Sequence, residues 1–230
     1  MHKLILIETS TELCSTALSD GDRIICERLS TEPRAHAAMT AVFVKEMLDR
    51  AGWKVQDCSA VAVSSGPGSY TGLRVGSSTA KGLCFGAGLP LIAVSTPEVL
   101  FSQALEDGLL PQGCRHVIPM IDARRMEVYS AVFSPDGQMQ GEICSRIVDR
   151  DSFRAELEDG PCLFIGDGAD KCAETLACPN AFFNQCCPRA SSMLGPALKA
   201  MEEKRFESTA YFEPFYLKDF IATVSRKKLF

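Results

Sequence analysis

The chain is 230 residues long, with 24 Lys and Arg against 29 Asp and Glu, a formal charge of −5 and 46% hydrophobic residues. That composition excludes a disordered chain, permits a core without disulfides or metals, and argues against autonomous nucleic-acid binding, which needs a basic face. No apolar run approaches the ~18 residues of a membrane span, and the run opening the chain is too short for a signal peptide, so a cytoplasmic protein with reduced thiols is expected.

Taken in chain order, residues 4–7 are a short apolar run suited to a buried strand and 14–18 a second. Asp20-Gly21 supplies hairpin-turn residues before a third strand over 24–29. An amphipathic helix follows over 36–51, with Met39, Val42, Phe43, Met47 and Leu48 on one side and Gly52 at its end. Residues 59–65 read as a central strand, 66–69 as a glycine loop, 71–86 as a helix and 91–94 as a strand. Ser95-Thr96-Pro97-Glu98 then opens a third helix with a cap residue before proline.

The second half repeats this order. Strands are expected over 116–122, 127–133 and 142–148, with a turn at Pro135-Asp136-Gly137. A helix over 151–158, a strand over 162–165, a loop at Gly166-Asp167-Gly168 and a helix over 169–176 follow. A strand over 181–185 and a helix capped by Ser191-Ser192 and running to about 204 complete it. The eleven cysteines are odd in number and contain no C-x-x-C; Cys14, Cys26, Cys58 and Cys84 sit in apolar runs as small hydrophobes. Cys186-Cys187 are read as packing residues too, since no His or third Cys stands at ligand spacing.

A βββαβαβα order written twice resembles the actin-like ATPase (ASKHA) fold, an α/β architecture of two halves with a ligand cleft between them. The division is expected in the loops near Glu106-Asp107-Gly108 and Pro111-Gln112-Gly113: residues 1–105 form one subdomain, and 106–230 the other with the C-terminal helix and tail. In that fold the turn between the first two strands is a phosphate loop. Here it reads Glu8-Thr9-Ser10-Thr11-Glu12, whose hydroxyls and backbone N–H groups suit a phosphate and equally make an ordinary hairpin turn. The matching turn of the second half, usually Asp-x-Gly-Gly, is Asp122-Ala123-Arg124-Arg125, which puts side chains where backbone would approach a phosphate. Gly166 and Gly168 stand where an adenosine loop would be. The expectation is the fold with a damaged ATP site, its vestigial nucleotide loops being Thr9, Ser10, Thr11, Gly66, Gly68, Ser69, Asp122, Gly166 and Gly168.

The stretch Gly66-Pro67-Gly68-Ser69-Tyr70-Thr71-Gly72-Leu73-Arg74-Val75-Gly76 places a strand end, a turn and a helix N-terminus in succession, either an anion site or a tight connection. It has neither Rossmann nor Walker spacing. On the helix, Gly72, Gly76 and Ala80 form a small-residue stripe; each glycine costs about 1 kcal/mol of helix stability, which close approach of another element would offset. That element is either the first helix or a partner's helices, with Met39, Phe43, Met47, Gly72, Leu73, Gly76 and Ala80 as the interface set.

The same stretch resembles the signature of the TsaB (YeaZ) family of bacterial tRNA-modification proteins. Ile7-Glu8-Thr9-Ser10-Thr11, Val94-Ser95-Thr96, Asp122-Ala123-Arg124-Arg125-Met126-Glu127-Val128-Tyr129 and Pro214-Phe215-Tyr216-Leu217-Lys218 resemble its other landmarks, in the same order over nearly the whole chain. Lys218 departs from the commoner Arg. The resemblance implies a non-catalytic paralogue of TsaD, the enzyme that places a threonylcarbamoyl group on the adenosine beside the anticodon of tRNAs reading codons that begin with A. It implies a TsaD heterodimer through the two first-half helices, recruitment of the ATPase TsaE, and tRNA contact only through the complex. Those apolar helices would also permit a homodimer when the chain is alone. No cofactor is implied for this chain; ATP and metal are expected on TsaD and TsaE. The relative's His-x-x-x-His metal motif is broken here, because His36 is followed four positions on by Thr40. An active actin-like ATPase or kinase is the alternative. A glycoprotease ranks lowest, since neither Ser69 nor Cys14 has a base placed by sequence.

Overall fold

The computed structural model describes residues 2–32 and 35–218. The first half runs β1 (Lys3–Glu8), β2 (Cys14–Asp20), β3 (Arg23–Ser30), α1 (Ala35–Ala51), β4 (Ala60–Gly66), α2 (Tyr70–Ala87), β5 (Leu91–Ser95) and α3 (Thr96–Glu106). The second runs β6 (His116–Asp122), β7 (Glu127–Ser130), β8 (Cys144–Ile147), α4 (Arg154–Asp159), β9 (Cys162–Ile165), α5 (Asp170–Ala173), β10 (Ala181–Asn184) and α6 (Leu194–Glu202). The expected order is present in both halves.

Each half contributes a five-stranded sheet, ordered β3-β2-β1-β4-β5 in one and β8-β7-β6-β9-β10 in the other. In both, three antiparallel strands meet two parallel ones at the first strand of the half. Strand alternation sends the core to both faces of the first sheet. Leu4, Leu6, Ala60, Ala62, Ile92 and Val94 pack on α3 and α6, while Ile5, Ile7, Val61 and Val63 pack on α1 and α2. Helix α3 joins the halves: Val99 belongs to the first sheet's core, and Leu100, Phe101 and Ala104 to the second's.

Local chemistry sets the helix ends. Ser95 and Glu98 close a reciprocal capping box on α3, with Glu98 N–H donating to Ser95 Oγ at 3.3 Å and Ser95 N–H donating to Glu98 Oε2 at 3.0 Å. Gly52 ends α1 at φ +69°, where a side chain would be strained. Some boundaries differ from expectation. Ser191-Ser192 lie in a 3-10 turn over Ala190–Met193, and the helix proper begins at Leu194. Strand β7 stops at Ser130, and Phe133 instead bridges Val117 and Met139.

Helix α6, expected in the second subdomain, packs on the first sheet: Leu194, Ala197 and Ala200 lie against Leu4, Ala62 and Ile92. The following segment continues across the first half. Glu207 N–H donates to Leu91 O at 2.9 Å, Phe212 enters the α1–α2 core, and Phe215 N–H donates to Ser65 O at 2.7 Å. Helix α6 and this strap, which a cut at 105/106 assigns to the second subdomain, thus pack on elements of the first. The basic tail residues Ser225–Lys228 lie outside the described residues. No helix among the described residues is long and apolar enough to cross a membrane.

Candidate functional site

A cleft of about 840 Å³ lies between the halves. Its walls include Ser10, Thr11 and Glu12 from the β1–β2 turn, Gly68 and Ser69 from the β4–α2 loop, and Asp122 and Arg124 from the β6–β7 turn. Asp167 from the β9–α5 loop and Tyr216 and Lys218 from the strap complete the rim. Five of the nine loop residues expected from the sequence, Ser10, Thr11, Gly68, Ser69 and Asp122, therefore share one cavity. Thr9 is fully buried behind it. Gly66 sits under the strap, where a Cβ would stand 2.8 Å from Phe215 O; one on Gly166 would stand 2.2 Å from Met120 O. A Cβ on Gly168 would stand 3.0 Å from the Val128 side chain.

A phosphate loop works by leaving backbone N–H groups free to point at the anion. Here several of those groups are already engaged by the chain itself. Ser10 N–H donates to Glu8 Oε1 at 2.6 Å, and Thr9 N–H donates to Ser64 Oγ at 3.2 Å. Asp122 N–H donates to Asp167 Oδ1 at 2.9 Å, and Arg124 N–H donates to Asp122 Oδ1 at 2.8 Å. Even the start of α5 is occupied, Asp170 N–H donating to Gln185 Oε1 at 2.9 Å. Lys171 pairs with Asp122.

Burial pushes the Glu8 carboxyl up to about 7, against smaller opposing pulls from Ser10, Ser64 and Thr9. Its Oε2 has no hydrogen-bond partner. Burial likewise raises Asp167 to about 6; the Asp122 N–H opposes this, while the Asp122 and Glu12 charges add to it. Glu12, Asp122 and Asp167 line this cleft with carboxylates. Burial pushes the Cys186 thiol up to about 12 and raises Cys187 as well, as befits packing residues. Among the described residues no group of three or more His, Cys, Asp or Glu is arranged to hold a metal ion.

Most of the expected interface set packs within the chain. A Cβ on Gly72 would stand 2.0 Å from Thr9 O, and one on Gly76 would stand 2.2 Å from Thr9 Oγ1. The small-residue stripe thus exists so that α2 can lie against the β1–β2 turn. Phe43 and Met39 pack with Cys14 and Ala35; Met47 and Ala80 are core; Leu73 is fully buried. Within the single chain, six of these seven residues are thus buried and Met39 is half-buried. The exposed side of the same two helices carries Ala38, Ala41, Val42 and Lys45 on α1, with Ser78, Gly82 and Phe85 on α2. Phe85 is 87% exposed. The spacing of buried Leu73, Ser77, Ala80 and Cys84 leaves Phe85 off the buried face, which is the signal that finds it.

The strap is the part that local pattern reading missed. Tyr216 packs on Tyr70 with ring centroids 5.0 Å apart, Lys218 pairs with Glu127 across the cleft, and Lys81 of α2 donates to Phe212 O at 3.0 Å.

Comparison with known proteins agrees with this architecture. A profile of the TsaD family, described as tRNA N6-adenosine threonylcarbamoyltransferase, matches residues 29–225. The tRNA threonylcarbamoyladenosine biosynthesis protein TsaB of Haemophilus influenzae is 30% identical over 98% of this chain and 96% of its own length. The solved YeaZ structure from Pseudomonas aeruginosa superposes with a TM-score of 0.83 at 27% identity, over 94% of this chain and all of that one. The inorganic polyphosphate/ATP-glucomannokinase of an Arthrobacter species has a TM-score of 0.50 at 12% identity, over 88% of this chain and all of that one, a likeness of fold alone.

Proposed function

This chain belongs to the TsaB (YeaZ) family within the wider TsaD family, and on that premise we propose that it is the non-catalytic partner of a TsaD-type enzyme in forming threonylcarbamoyladenosine on tRNA. The observation that carries the reading is the occupied cleft. Ser10, Asp122 and Arg124 N–H groups are held by the chain's own Glu8, Asp167 and Asp122 carboxylates, so a polyphosphate would meet negative charge where the fold's catalytic members offer donors. An actin-like scaffold that has lost its phosphate cradle retains its shape and its surfaces, and assembly is what those can supply.

The docking face in this reading is the exposed side of α1 and α2, with Phe85 of α2 as its anchor and Val42 contributed by α1, both apolar and open to solvent. A TsaD-type paralogue occupies it in the working complex, and a second copy of this chain occupies it when the paralogue is absent. The TsaE-type ATPase joins the pair, and ATP and metal belong to those partners. The site of action is the cytoplasm, where the tRNA substrate is.

The test is reconstitution. The purified chain alone should hydrolyse no ATP above background, and should support threonylcarbamoyladenosine formation only with its TsaD- and TsaE-type partners. ATP turnover by the isolated chain, abolished by substitution of Asp122, would instead support an active actin-like ATPase.

A further inference from the structure

We propose that the groove between the strap and the edge of the first sheet receives a short, extended, arginine-bearing segment of a partner protein, which adds itself beside β5. Strand β5 ends its sheet, and Pro90 O accepts Val61 N–H at 3.1 Å, so the alternate positions Leu91 and Ala93 turn their backbone groups away from β4. The strap fills that outer edge only at its ends. Glu207 N–H donates to Leu91 O at 2.9 Å, and Phe215 N–H donates to Ser65 O at 2.7 Å, where β4 and β5 lose register between Ser64 and Gly66. Between these two anchors the chain turns, Phe212 N–H donating to Ser208 O at 2.8 Å, and carries the Phe212 ring into the α1–α2 core. Ala93 is left without a strap partner and lines a groove of about 320 Å³. Its outward N–H and C=O are open to an added strand, as Leu91 O is to Glu207.

The other walls of the groove set the chemistry of that strand. Glu207 and Glu213 line it, both exposed, and neither carboxylate has a hydrogen-bond or ion-pair partner among the described residues. Lys81 of α2, the cation that anchors the strap, is engaged by carbonyls instead, donating to Ala210 O at 3.2 Å and Phe212 O at 3.0 Å. Tyr211 and Phe215 line the groove as well, 86% and 45% exposed. Carboxylates beside aromatic rings select a cation, and a guanidinium suits both, since its plane stacks on a ring while its N–H fork meets a carboxylate. The same two carboxylates repel a nucleic-acid backbone or an anionic membrane surface. The groove has room for a few side chains rather than a folded domain, and an open strand edge is matched by main-chain pairing, which an extended segment supplies.

The probe is the peptide Thr-Val-Arg-Val-Thr, acetylated and amidated so that the guanidinium is its only charge, titrated into the full chain and followed by backbone amide NMR shifts. Shifts centred on Ser65, Ala93 and the strap are expected. Glu in place of Arg in the peptide, or the chain variant Glu207→Gln/Glu213→Gln, should weaken binding about 10-fold. Tyr211→Ala should weaken it about 5-fold, and N-methylation of the peptide backbone at its second and third residues about 10-fold, because strand pairing is then blocked. The substituted side chains are all exposed, so these variants should keep the parent's fold and amide spectrum. Affinity unchanged in the glutamine variant, equal affinity for the Arg and Glu peptides, or no shift at Ala93 overturns the proposal. Arginine amide binding as tightly as the peptide makes this a small-molecule site and overturns the extended segment. Peptide binding seen only in the full-length variant Arg226→Glu/Lys227→Glu/Lys228→Glu assigns the groove to the chain's own basic residues and overturns a partner as its occupant.

Discussion

The backbone N–H of Asp122 donates to the Asp167 carboxylate at 2.9 Å, so a side chain from the β9–α5 loop takes the direction that a phosphate would need on the β6–β7 turn. Glu8 does the same to Ser10 N–H at 2.6 Å in the other half. The two halves are related by topology, and each has filled its own phosphate turn with its own carboxylate. A tethered carboxylate is present at an effective concentration that a free ligand does not match, which makes the occupation durable.

Glu8 makes this arrangement pH-sensitive. Its folded-state value of about 7 lies above the ordinary 4.5, so the unfolded chain gives up its proton first as pH rises. Stability from this group is therefore full below about pH 4.5 and is lost up to about pH 7. Glu8→Gln should flatten that part of the profile. In urea unfolding it should gain on the parent by about 3 kcal/mol between pH 5 and 8, an order-of-magnitude figure. Parallel profiles for the two proteins would contradict the burial argument.

Glycines of α2 should separate into two classes. Gly72→Ala pushes a methyl into Thr9 O and should cost about 1–3 kcal/mol. Gly82→Ala meets nothing within 4 Å and should stabilise by about 1 kcal/mol through helix propensity. Unfolding midpoints of the two variants measure the difference directly. Equal effects would mean that α2 does not press on the β1–β2 turn.

Docking and folding should likewise separate along the two faces of α2. Phe85→Ala should leave stability within about 0.5 kcal/mol and weaken partner binding by about 2 kcal/mol or more, roughly 30-fold. Leu73→Ala, on the buried face, should cost about 2–5 kcal/mol of stability. Calorimetric titration with the partner and thermal unfolding of each variant give the four numbers needed.

The strap should be held by packing more than by charge. Phe212 is 8% exposed within the α1–α2 core, and Phe212→Ala should cost about 3 kcal/mol. Lys218→Ala removes a partly exposed pair with Glu127 and should cost no more than about 1 kcal/mol. Chemical unfolding of both variants tests the ranking.

Element order and type were legible because each is a local property. The continuous apolar run at 4–7, the capping residues at Ser95 and Glu98, and the glycine at 52 all act within a few residues. The cleft residues were legible in part, since Ser10, Thr11, Gly68, Ser69 and Asp122 follow strands whose order the pattern determines. What pattern cannot rank is the choice between two packing partners. Gly72 and Gly76 announced close approach, and the element that approaches within the chain is the Thr9 turn more than sixty residues earlier. The strap was invisible for the same reason: Phe215 reaches Ser65, and Lys218 reaches Glu127, across long separations that no local periodicity records.

The most direct measurement is the amount of threonylcarbamoyladenosine formed on tRNA by the TsaD- and TsaE-type partners, with the parent chain, with a Phe85→Asp variant, and with neither. Product formation that requires the chain and falls to the chain-free level with Phe85→Asp is the predicted result. Equal product in all three reactions would contradict a partner role acting through the exposed face of α1 and α2.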